Sequence, residues 1–268
     1  MKNVKLPSTK QLRYFVALAE IGHFGRAAEA SFVSQSAFSN AIQELENLLD
    51  AQLVDRTNRN VTITALGQQI AVQARLCLQD IQALVEMIET AERPIFYTGG
   101  GVINSGPAAS QLLRELVDAT GFPITSTLMG LGAYPASGSN WLGMLGMHGL
   151  YEANLAMHGC DLMINVGARF DDRITGRVDA FSPKSMKAHI DIDPSSINKV
   201  IKADIPIVGD VAHVLEDLLK VWKSRGAKTN REGLAKWWAQ IDTWRKVDCL
   251  KFKQAGPVIK PQYALERL

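Results

Sequence analysis

The strongest constraint on the fold of this chain is one long helical pattern that ends at a proline. The pattern opens at Thr64, runs through LGQQIAVQARLCLQDIQALVEMIETAE and stops before Pro94. A proline ring disfavours helix in the residue that precedes it. The sequence before this helix is nearly all helical in character, whereas the sequence after it alternates short apolar runs with glycine-rich turns. We therefore predict two folded regions joined by one continuous helix.

Length and composition set broad limits on the protein class. A chain of 268 residues can bury two cores, and a net charge of +2 argues neither for nor against nucleic acid. Three cysteines, far apart and odd in number, favour a reducing cytoplasm over a disulfide framework. The start shows no signal-peptide pattern, and the uncharged stretch 119–151 is interrupted by Gly, Pro, Ser and Asn. We therefore expect a cytoplasmic protein with no membrane partner.

Three short helices are predicted before residue 50. Ser8 is a suitable N-cap for TKQLRYFVALAEIG, a second helix covers FGRAAEAS, and Ser34 caps QSAFSNAIQELENLL. The third helix has an apolar stripe that includes Phe38, Ile42 and Leu45 at helical spacing. Two short β runs then flank a tight turn in LVDRTNRNVTIT. The pattern fits a helix-turn-helix with a wing, and it also fits a small helical bundle with a polar surface.

The first turns of the third helix carry short or amide-bearing side chains, which suit base edges and phosphates in a major groove. The arginines of the predicted wing suit the DNA backbone or the minor groove. The candidate DNA-binding residues are Gln35, Ser36, Ala37, Ser39, Asn40, Gln43, Arg56 and Arg59.

The segment from about residue 8 to 90 resembles the winged helix-turn-helix of LysR-type transcriptional regulators. The resemblance includes AAEASFVSQSAFSNAIQELENLL and the closing TALG, and it departs from the family at Ser36, where proline is usual. It implies double-stranded DNA as a partner and a linker helix that pairs with a second copy. The expected positions of that dimer seam are Leu66, Ile70, Gln73, Cys77, Ile81, Leu84 and Ile88.

The second region has the pattern of βαβ units around a parallel sheet. The predicted strands are Ile95–Thr98, Pro123–Ser126, Leu162–Val166, Ala188–Ile192 and Ile205–Val208. Glycines or charged residues follow these strands, and ligands bind at such carboxyl ends in open α/β sheets. Asp191 suits ribose hydroxyls, and Arg169 or Arg173 suits a diphosphate. His148 is equally compatible with a plain loop histidine, and Asp171-Asp172-Arg173 with a surface ion-pair cluster.

From about Leu84 onward the motifs YTGGG, STLMG, LGMHG, GARFDDR, DIDP and VGD resemble the central domain of acetohydroxyacid (acetolactate) synthase large subunits. That family uses thiamine diphosphate, Mg²⁺ and FAD, with FAD held mainly by the central domain. The FAD contacts implied by the motifs are Gly99, Gly100, Gly101, Thr127, Leu128, Met129, Leu145, Gly146, Met147, His148, Gly167, Ala168, Arg169, Asp171, Arg173, Asp191, Ile192, Asp193, Gly209 and Asp210.

Two signatures of that enzyme family are not found in this sequence. The first domain with its catalytic glutamate is replaced by the DNA-binding segment, and no GDG motif for Mg²⁺ and diphosphate occurs. We therefore expect no thiamine diphosphate site, no metal site, no catalytic residues and no independent enzymatic activity. FAD binding is expected to be weak or partial, because neighbouring domains complete the pocket in the family.

The predicted organisation is a winged helix-turn-helix at 1–63, a linker and dimerisation helix at 64–92, a Rossmann-like, doubly wound parallel-sheet domain at 93–225 and a helical extension at 226–268. The leading hypothesis is a DNA-binding transcription regulator whose α/β domain senses FAD, a related nucleotide or a metabolite. A ligand-independent repressor, an acetolactate synthase-like chain and a fusion without joint function remain alternatives.

Overall fold

A computed structural model describes residues 7–56 and 61–268 of the chain. The helices in this part are α1 (Thr9–Ile21), α2 (Phe24–Ala30), α3 (Gln35–Leu49), α4 (Ala65–Thr90), α5 (Gly100–Ser105), α6 (Pro107–Thr120), α7 (Tyr151–Gly159), α8 (Asp172–Thr175), α9 (Val211–Arg225), α10 (Arg231–Arg245) and α11 (Pro261–Glu266). The strands are β1 (Val54–Arg56), β2 (Val61–Ile63), β3 (Pro94–Thr98), β4 (Ile124–Ser126), β5 (Trp141–Met144), β6 (Leu162–Val166), β7 (Met186–Asp191) and β8 (Ile205–Val208).

The first three helices form a compact head. Ser8 and Gln11 make a reciprocal capping box at the start of α1. Tyr14 stacks on Phe38 with ring centroids 5.0 Å apart, so α1 and α3 meet through aromatic contact. The antiparallel pair β1–β2 follows α3, and the turn predicted between these strands lies at 57–60, outside the described residues.

The linker helix α4 belongs to both cores. Its first half packs on the head through Gly67 and Ala71. A side chain at Gly67 would collide with the carbonyl oxygen of Leu53 just before β1, so glycine permits this close approach. The second half of α4 buries Ile81, Leu84, Val85 and Ile88 in the α/β core. The two regions are therefore joined by a helix packed on both sides.

The α/β region contains a six-stranded parallel sheet in the order β5-β4-β3-β6-β7-β8. The chain moves outward in one direction from β3 and in the other from β6, which makes the β3–β6 junction the topological switch point. The doubly wound parallel fold predicted from the sequence is thus confirmed. The strand β5 was not predicted, because it is a short edge strand interrupted by Gly143, whose φ is +85°.

Two C-terminal helices complete the α/β region. Helix α9 packs against α4, α5 and α6 and also touches α1 of the head. Helix α10 lies beside α7, and Trp237 Nε1 donates to the carbonyl oxygen of Pro94 at 3.0 Å. Because an indole N–H buried without an acceptor is costly, this bond fixes α10 against the start of β3.

The predicted dimer seam on α4 requires a correction. Ile81, Leu84 and Ile88 are buried in the α/β core of their own chain, so they are not available to a second copy. The exposed face of the first half carries Leu66, which the predicted seam includes, together with Val72 and Leu76, which it does not. The heptad pattern of the sequence could not distinguish a dimer contact from packing in the chain's own core, since an apolar stripe packs equally well on a helix or on a sheet.

Candidate functional site

Helix α3 presents its polar residues outward because its apolar stripe is buried. Ser34 Oγ accepts from the N–H of Ala37 at 3.3 Å and fixes the start of the helix. Phe38, Ile42 and Leu45 point into the head core. Among the predicted DNA-binding residues, Gln35, Ser36, Ala37, Asn40 and Gln43 are exposed, and Ser39 is half-buried. One helix thus offers a continuous polar face.

The wing is anchored to the same helix by an acidic side chain. Glu46 Oε1 accepts from the N–H groups of Leu53 and Val54 at 2.8 and 3.0 Å. This fixes the chain as it enters β1. Arg56 is the last residue of β1, and Arg59 lies outside the described residues.

A cavity of about 570 Å³ opens at the carboxyl ends of the central strands. It lies at the switch point, where β3 runs into the glycine triplet and β6 runs into Gly167. Its volume is within the usual range of small-molecule sites. The lining includes sixteen of the predicted contacts: Gly100, Gly101, Thr127, Leu128, Met129, Leu145, Met147, His148, Gly167, Ala168, Arg169, Asp171, Arg173, Asp191, Ile192 and Asp193.

The glycine triplet allows two loops to approach each other at the floor of the cavity. Gly99 N–H donates to Val166 O at 3.0 Å, and Gly101 N–H donates to Gly167 O at 2.9 Å. A Cβ on Gly101 would lie 2.6 Å from Gly167 Cα, and one on Gly99 would collide with Ala168. Both glycines permit close backbone packing, and Gly101 also lines the cavity together with Gly100.

A buried polar row beneath the floor holds the loop after β6. Strand register places Tyr97, Asn165 and His189 side by side across three strands. Tyr97 Oη donates to Arg169 O at 3.0 Å, Asn165 Nδ2 donates to Ala168 O at 2.8 Å, and His189 Nε2 lies 3.0 Å from the same oxygen. Burial, then the charge of Asp171, raises the pKa of Tyr97, so its hydroxyl stays protonated and donates.

The charged side chains at the cavity are already paired within the chain. Arg169 Nη2 lies 2.9 Å from Asp171 Oδ2, and Arg173 Nε lies 3.9 Å from Asp172 Oδ2. Both pairs are exposed, so each is weak and an anion can compete for the guanidinium groups. Asp191 accepts from the N–H of Asp193 at 2.9 Å through Oδ1 and is nearly buried.

The turn after β7 is organised by Asp193. Its carboxylate accepts hydrogen bonds from the backbone N–H and hydroxyl of Ser195. These bonds hold the pKa of the Asp193 carboxyl below its usual value. The turn brings Ser196 to the cavity wall.

Four predicted contacts lie outside the lining. Gly99 packs beneath it, and Gly146, with φ +95°, packs against Arg173 and Ile174. Gly209 and Asp210 precede α9, where Asp210 caps the helix by accepting from the N–H groups of Ala212 and His213. Sequence reasoning missed four lining residues: Asn104, Met144, Ile174 and Ser196. The sequence could have predicted Asn104 as a lining residue, because it lies one helical turn after Gly100 on α5.

Helix α9 connects the edge of the cavity region to the head formed by α1, α2 and α3. Ser105, at the end of α5, has its Oγ 2.9 Å from both carboxylate oxygens of Asp210. Two turns further along α9, Asp217 Oδ1 lies 4.0 Å from Arg13 Nη2 of α1. Burial raises the pKa of the Asp217 carboxyl, and the positive charges of Lys220 and Arg13 oppose that shift.

Within residues 7–56 and 61–268, no group of three or more His, Cys, Asp or Glu side chains has the arrangement of a metal site. In the same part of the chain, no helix combines the length and the apolar character needed to cross a membrane.

Comparison with known proteins identifies both regions. The family described as "Thiamine pyrophosphate enzyme, central domain" matches residues 81–218. The family described as "Bacterial regulatory helix-turn-helix protein, lysR family" matches residues 9–68. Fold and comparison together define a fusion of a DNA-binding head with an enzyme-type domain.

The chain belongs to the thiamine pyrophosphate enzyme family through its central domain and carries a LysR-type helix-turn-helix in front of it. It is 45% identical over 188 residues to the acetolactate synthase isozyme 3 large subunit of Escherichia coli K12, covering 70% of this chain and 32% of that protein. The acetolactate synthase large subunit of Haemophilus influenzae is 42% identical over 186 residues, covering 69% and 32%. The acetolactate synthase of Mycobacterium avium is 42% identical over 191 residues, covering 71% and 30%.

These relatives contradict the expectation that the chain is not an enzyme. They are acetolactate synthases, which are enzymes, and they share up to 45% identity with it. The chain spans about a third of the length of the curated relatives it matches. That expectation rested on the missing catalytic glutamate and GDG motif and took no account of the similarity within the shared third.

Proposed function

We propose that the chain is a cytoplasmic transcription regulator in which the α/β domain binds FAD or a related nucleotide and thereby changes the DNA affinity of the head. The regulator class follows from the LysR-type head, which implies binding to double-stranded DNA. The exposed amides of Gln35, Asn40 and Gln43 on α3 suit adenine edges in a major groove.

The side chains around the cavity are compatible with a dinucleotide. Arg169 and Arg173 supply two guanidinium groups for a diphosphate once Asp171 and Asp172 release them. Asp191 supplies a carboxylate acceptor for ribose hydroxyls. Leu128, Met129 and Met147 offer an exposed apolar rim for a flat aromatic ring. FAD, when bound, would bring redox chemistry, but sensing requires only its binding.

The observation that carries the proposal is the position of α9. Helix α5 supplies Gly100, Gly101 and Asn104 to the cavity, and its last residue, Ser105, bonds the cap of α9. The same α9 meets α1 of the head at Asp217 and Arg13. A ligand that draws α5 toward the cavity would shift the start of α9 and so alter its contact with the head. Such a ligand must bind the two arrangements with different affinity.

The first test is whether flavin binds. The purified chain should show flavin absorption or, after titration with FAD, saturable quenching of flavin fluorescence and a rise in melting temperature. Ligand at a hundred times its Kd stabilises a fold by about 2.7 kcal/mol. Arg169→Ala should weaken this binding, while Arg177→Ala, an exposed arginine that is not part of the lining, should leave it unchanged. If titration with FAD changes neither the melting temperature of the protein nor the fluorescence of the flavin, the flavin proposal is refuted.

We also infer that the regulator binds DNA as a homodimer through the exposed face of α4. Leu66, Gln69, Ile70, Val72 and Gln73 form a shallow groove of about 450 Å³ on this face. Two heads related by a two-fold axis would read a pseudo-palindromic site. Sedimentation of wild type and of Leu66→Glu tests this inference: the variant should be monomeric at concentrations where wild type is dimeric.

A second function, acetolactate synthesis, is favoured by the likeness to acetolactate synthases across 188 residues. In this proposal the chain supplies the central domain of an active enzyme. The test is acetolactate formation from pyruvate in the presence of thiamine diphosphate, Mg²⁺ and FAD, with the purified chain and in a cell extract that lacks it. Turnover that depends on the chain would support this function, and equal rates with and without it would refute it.

A further inference from the structure

The turn between α2 and α3 contains an aromatic residue in an unfavourable conformation. Phe32 has φ +56°, in the left-handed region. For an L-residue this places Cβ close to the following carbonyl oxygen, so the region is populated mainly by Gly, Asn and Asp. Phe32 is nevertheless 96% exposed, so its ring gains almost no packing in return.

The turn itself does not require a phenylalanine. The N–H of Phe32 donates to Glu29 O at 3.0 Å, and the N–H of Val33 donates to Ala28 O at 3.1 Å. Both bonds belong to the backbone, and Gly or Asn would make them with less strain. The neighbouring Val33 packs against the head core, whereas Phe32 points away from it. The ring therefore contributes little to the folded head.

The exposed ring lies beside the DNA-reading face. Phe32 is two residues before Ser34, the N-cap of α3, and Ser34 Oγ lies 3.1 Å from Ser36 Oγ in the first turn. Strained residues that a fold retains without internal benefit concentrate at functional sites. In a helix-turn-helix, the start of the second helix is the part that reaches the base edges.

We propose that Phe32 is an apolar DNA contact of the head. Its ring packs on an apolar group at the edge of the major groove, either a thymine methyl or a deoxyribose. Phenylalanine makes such contact with thymine methyl groups. The inference adds a residue to the DNA interface that the polar face of α3 alone does not include, and it rests on the DNA-binding role of the head.

The test uses the full chain and a duplex selected from a randomised pool by wild-type protein. Phe32→Asn removes the ring and fits the same backbone angle, so we expect about tenfold weaker DNA binding with a melting temperature that is unchanged or slightly higher. An apolar contact releases no counterions, so the slope of log K against log salt should not change. The matched control is Asp50→Asn, at another non-glycine residue of the head with a left-handed backbone, the C-cap of α3. This variant should bind DNA at least as tightly as wild type.

Replacing each thymine of the duplex in turn by deoxyuridine separates the two DNA groups. If one replacement weakens wild type about as much as Phe32→Asn does, and has no effect on that variant, the contact is a thymine methyl. If no replacement matters, yet Phe32→Asn still binds weakly, the contact is a deoxyribose.

Wild-type affinity in Phe32→Asn would overturn the proposal. So would a fall of several degrees in its melting temperature, or loss of dimer in sedimentation, since either would assign the ring to the protein. Failure of wild type to bind any duplex would instead refute the DNA-binding function itself.

Discussion

The DNA-reading face and the cavity are built in opposite ways. The face consists of exposed side chains on one helix, α3, whose spacing along the sequence decides which residues point outward. The cavity is lined by loops that follow several strands and meet only because the sheet brings their ends together. The first site should therefore tolerate substitution without loss of fold, whereas substitution of the close-packed glycines beneath the second should weaken fold and site together.

Helix α4 shows the same contrast within a single element. Its second half is part of the α/β core, and its first half has one face on the head and another exposed. Mutations along this helix therefore provide the strongest test of how the two regions depend on each other.

The largest effect is expected from Leu84→Ala. Leu84 is fully buried in the α/β core, so truncation leaves a cavity and should lower the free energy of unfolding by about 2–5 kcal/mol. Gln82→Ala on the same helix is the control, because Gln82 is exposed and lies outside the inferred dimer face, so its loss should change stability by no more than about 0.5 kcal/mol. Denaturant unfolding measures both. Equal losses would mean that α4 does not belong to the α/β core.

The next effect is expected at the glycine floor. Gly101→Ala forces a methyl group to within 2.6 Å of Gly167 Cα, which should cost about 1–3 kcal/mol and displace the loop after β6. Stability and FAD binding should fall together in melting curves with and without ligand. Gly159→Ala is the control, since its added methyl would meet neighbours only at ordinary contact distance, 3.4 Å or more. Normal stability in Gly101→Ala would contradict the close approach of the two loops.

A smaller effect, confined to DNA binding, is expected at Asn40. Asn40→Ala removes an exposed amide from α3 and should weaken binding to the selected duplex by about 1–3 kcal/mol, with an unchanged melting temperature. Gln82→Ala, an exposed amide on α4, should leave DNA affinity unchanged. If both variants bind as wild type does, the polar face of α3 is not the reading surface.

The smallest effect is a pH dependence at the contact between α9 and the head. Burial raises the folded-state pKa of Asp217 above its unfolded value, so the native state binds more protons in the window between the two values. The contribution of Asp217 to stability is therefore most favourable below the unfolded pKa and declines as pH rises through the folded pKa. Asp217→Asn should gain stability relative to wild type from pH 4 to pH 7 in denaturant titrations. If the difference in free energy of unfolding between Asp217→Asn and wild type stays constant over this pH range, the folded state does not raise the pKa of Asp217.

Most of the fold could be predicted from the sequence because its signals are local. The stripe of Phe38, Ile42 and Leu45 defines α3, and the run Leu162–Val166 coincides with β6. The sheet order required tertiary information, since nothing local places β3 beside β6. The roles of Gly209 and Asp210 could not be predicted from the sequence either, because a Gly-Asp pair after a strand fits a helix cap as well as a ligand contact.

The most direct test of the account is the DNA affinity of the chain with and without saturating FAD, measured in parallel with FAD affinity with and without DNA. Coupling through α9 predicts that FAD changes the Kd for the selected duplex by about 5- to 150-fold, and that DNA changes the Kd for FAD by the same factor. Asp210→Ala, which removes the cap joined to Ser105, should reduce that factor toward one. If FAD binds and yet leaves the DNA affinity unchanged, the two regions share a helix but not a function.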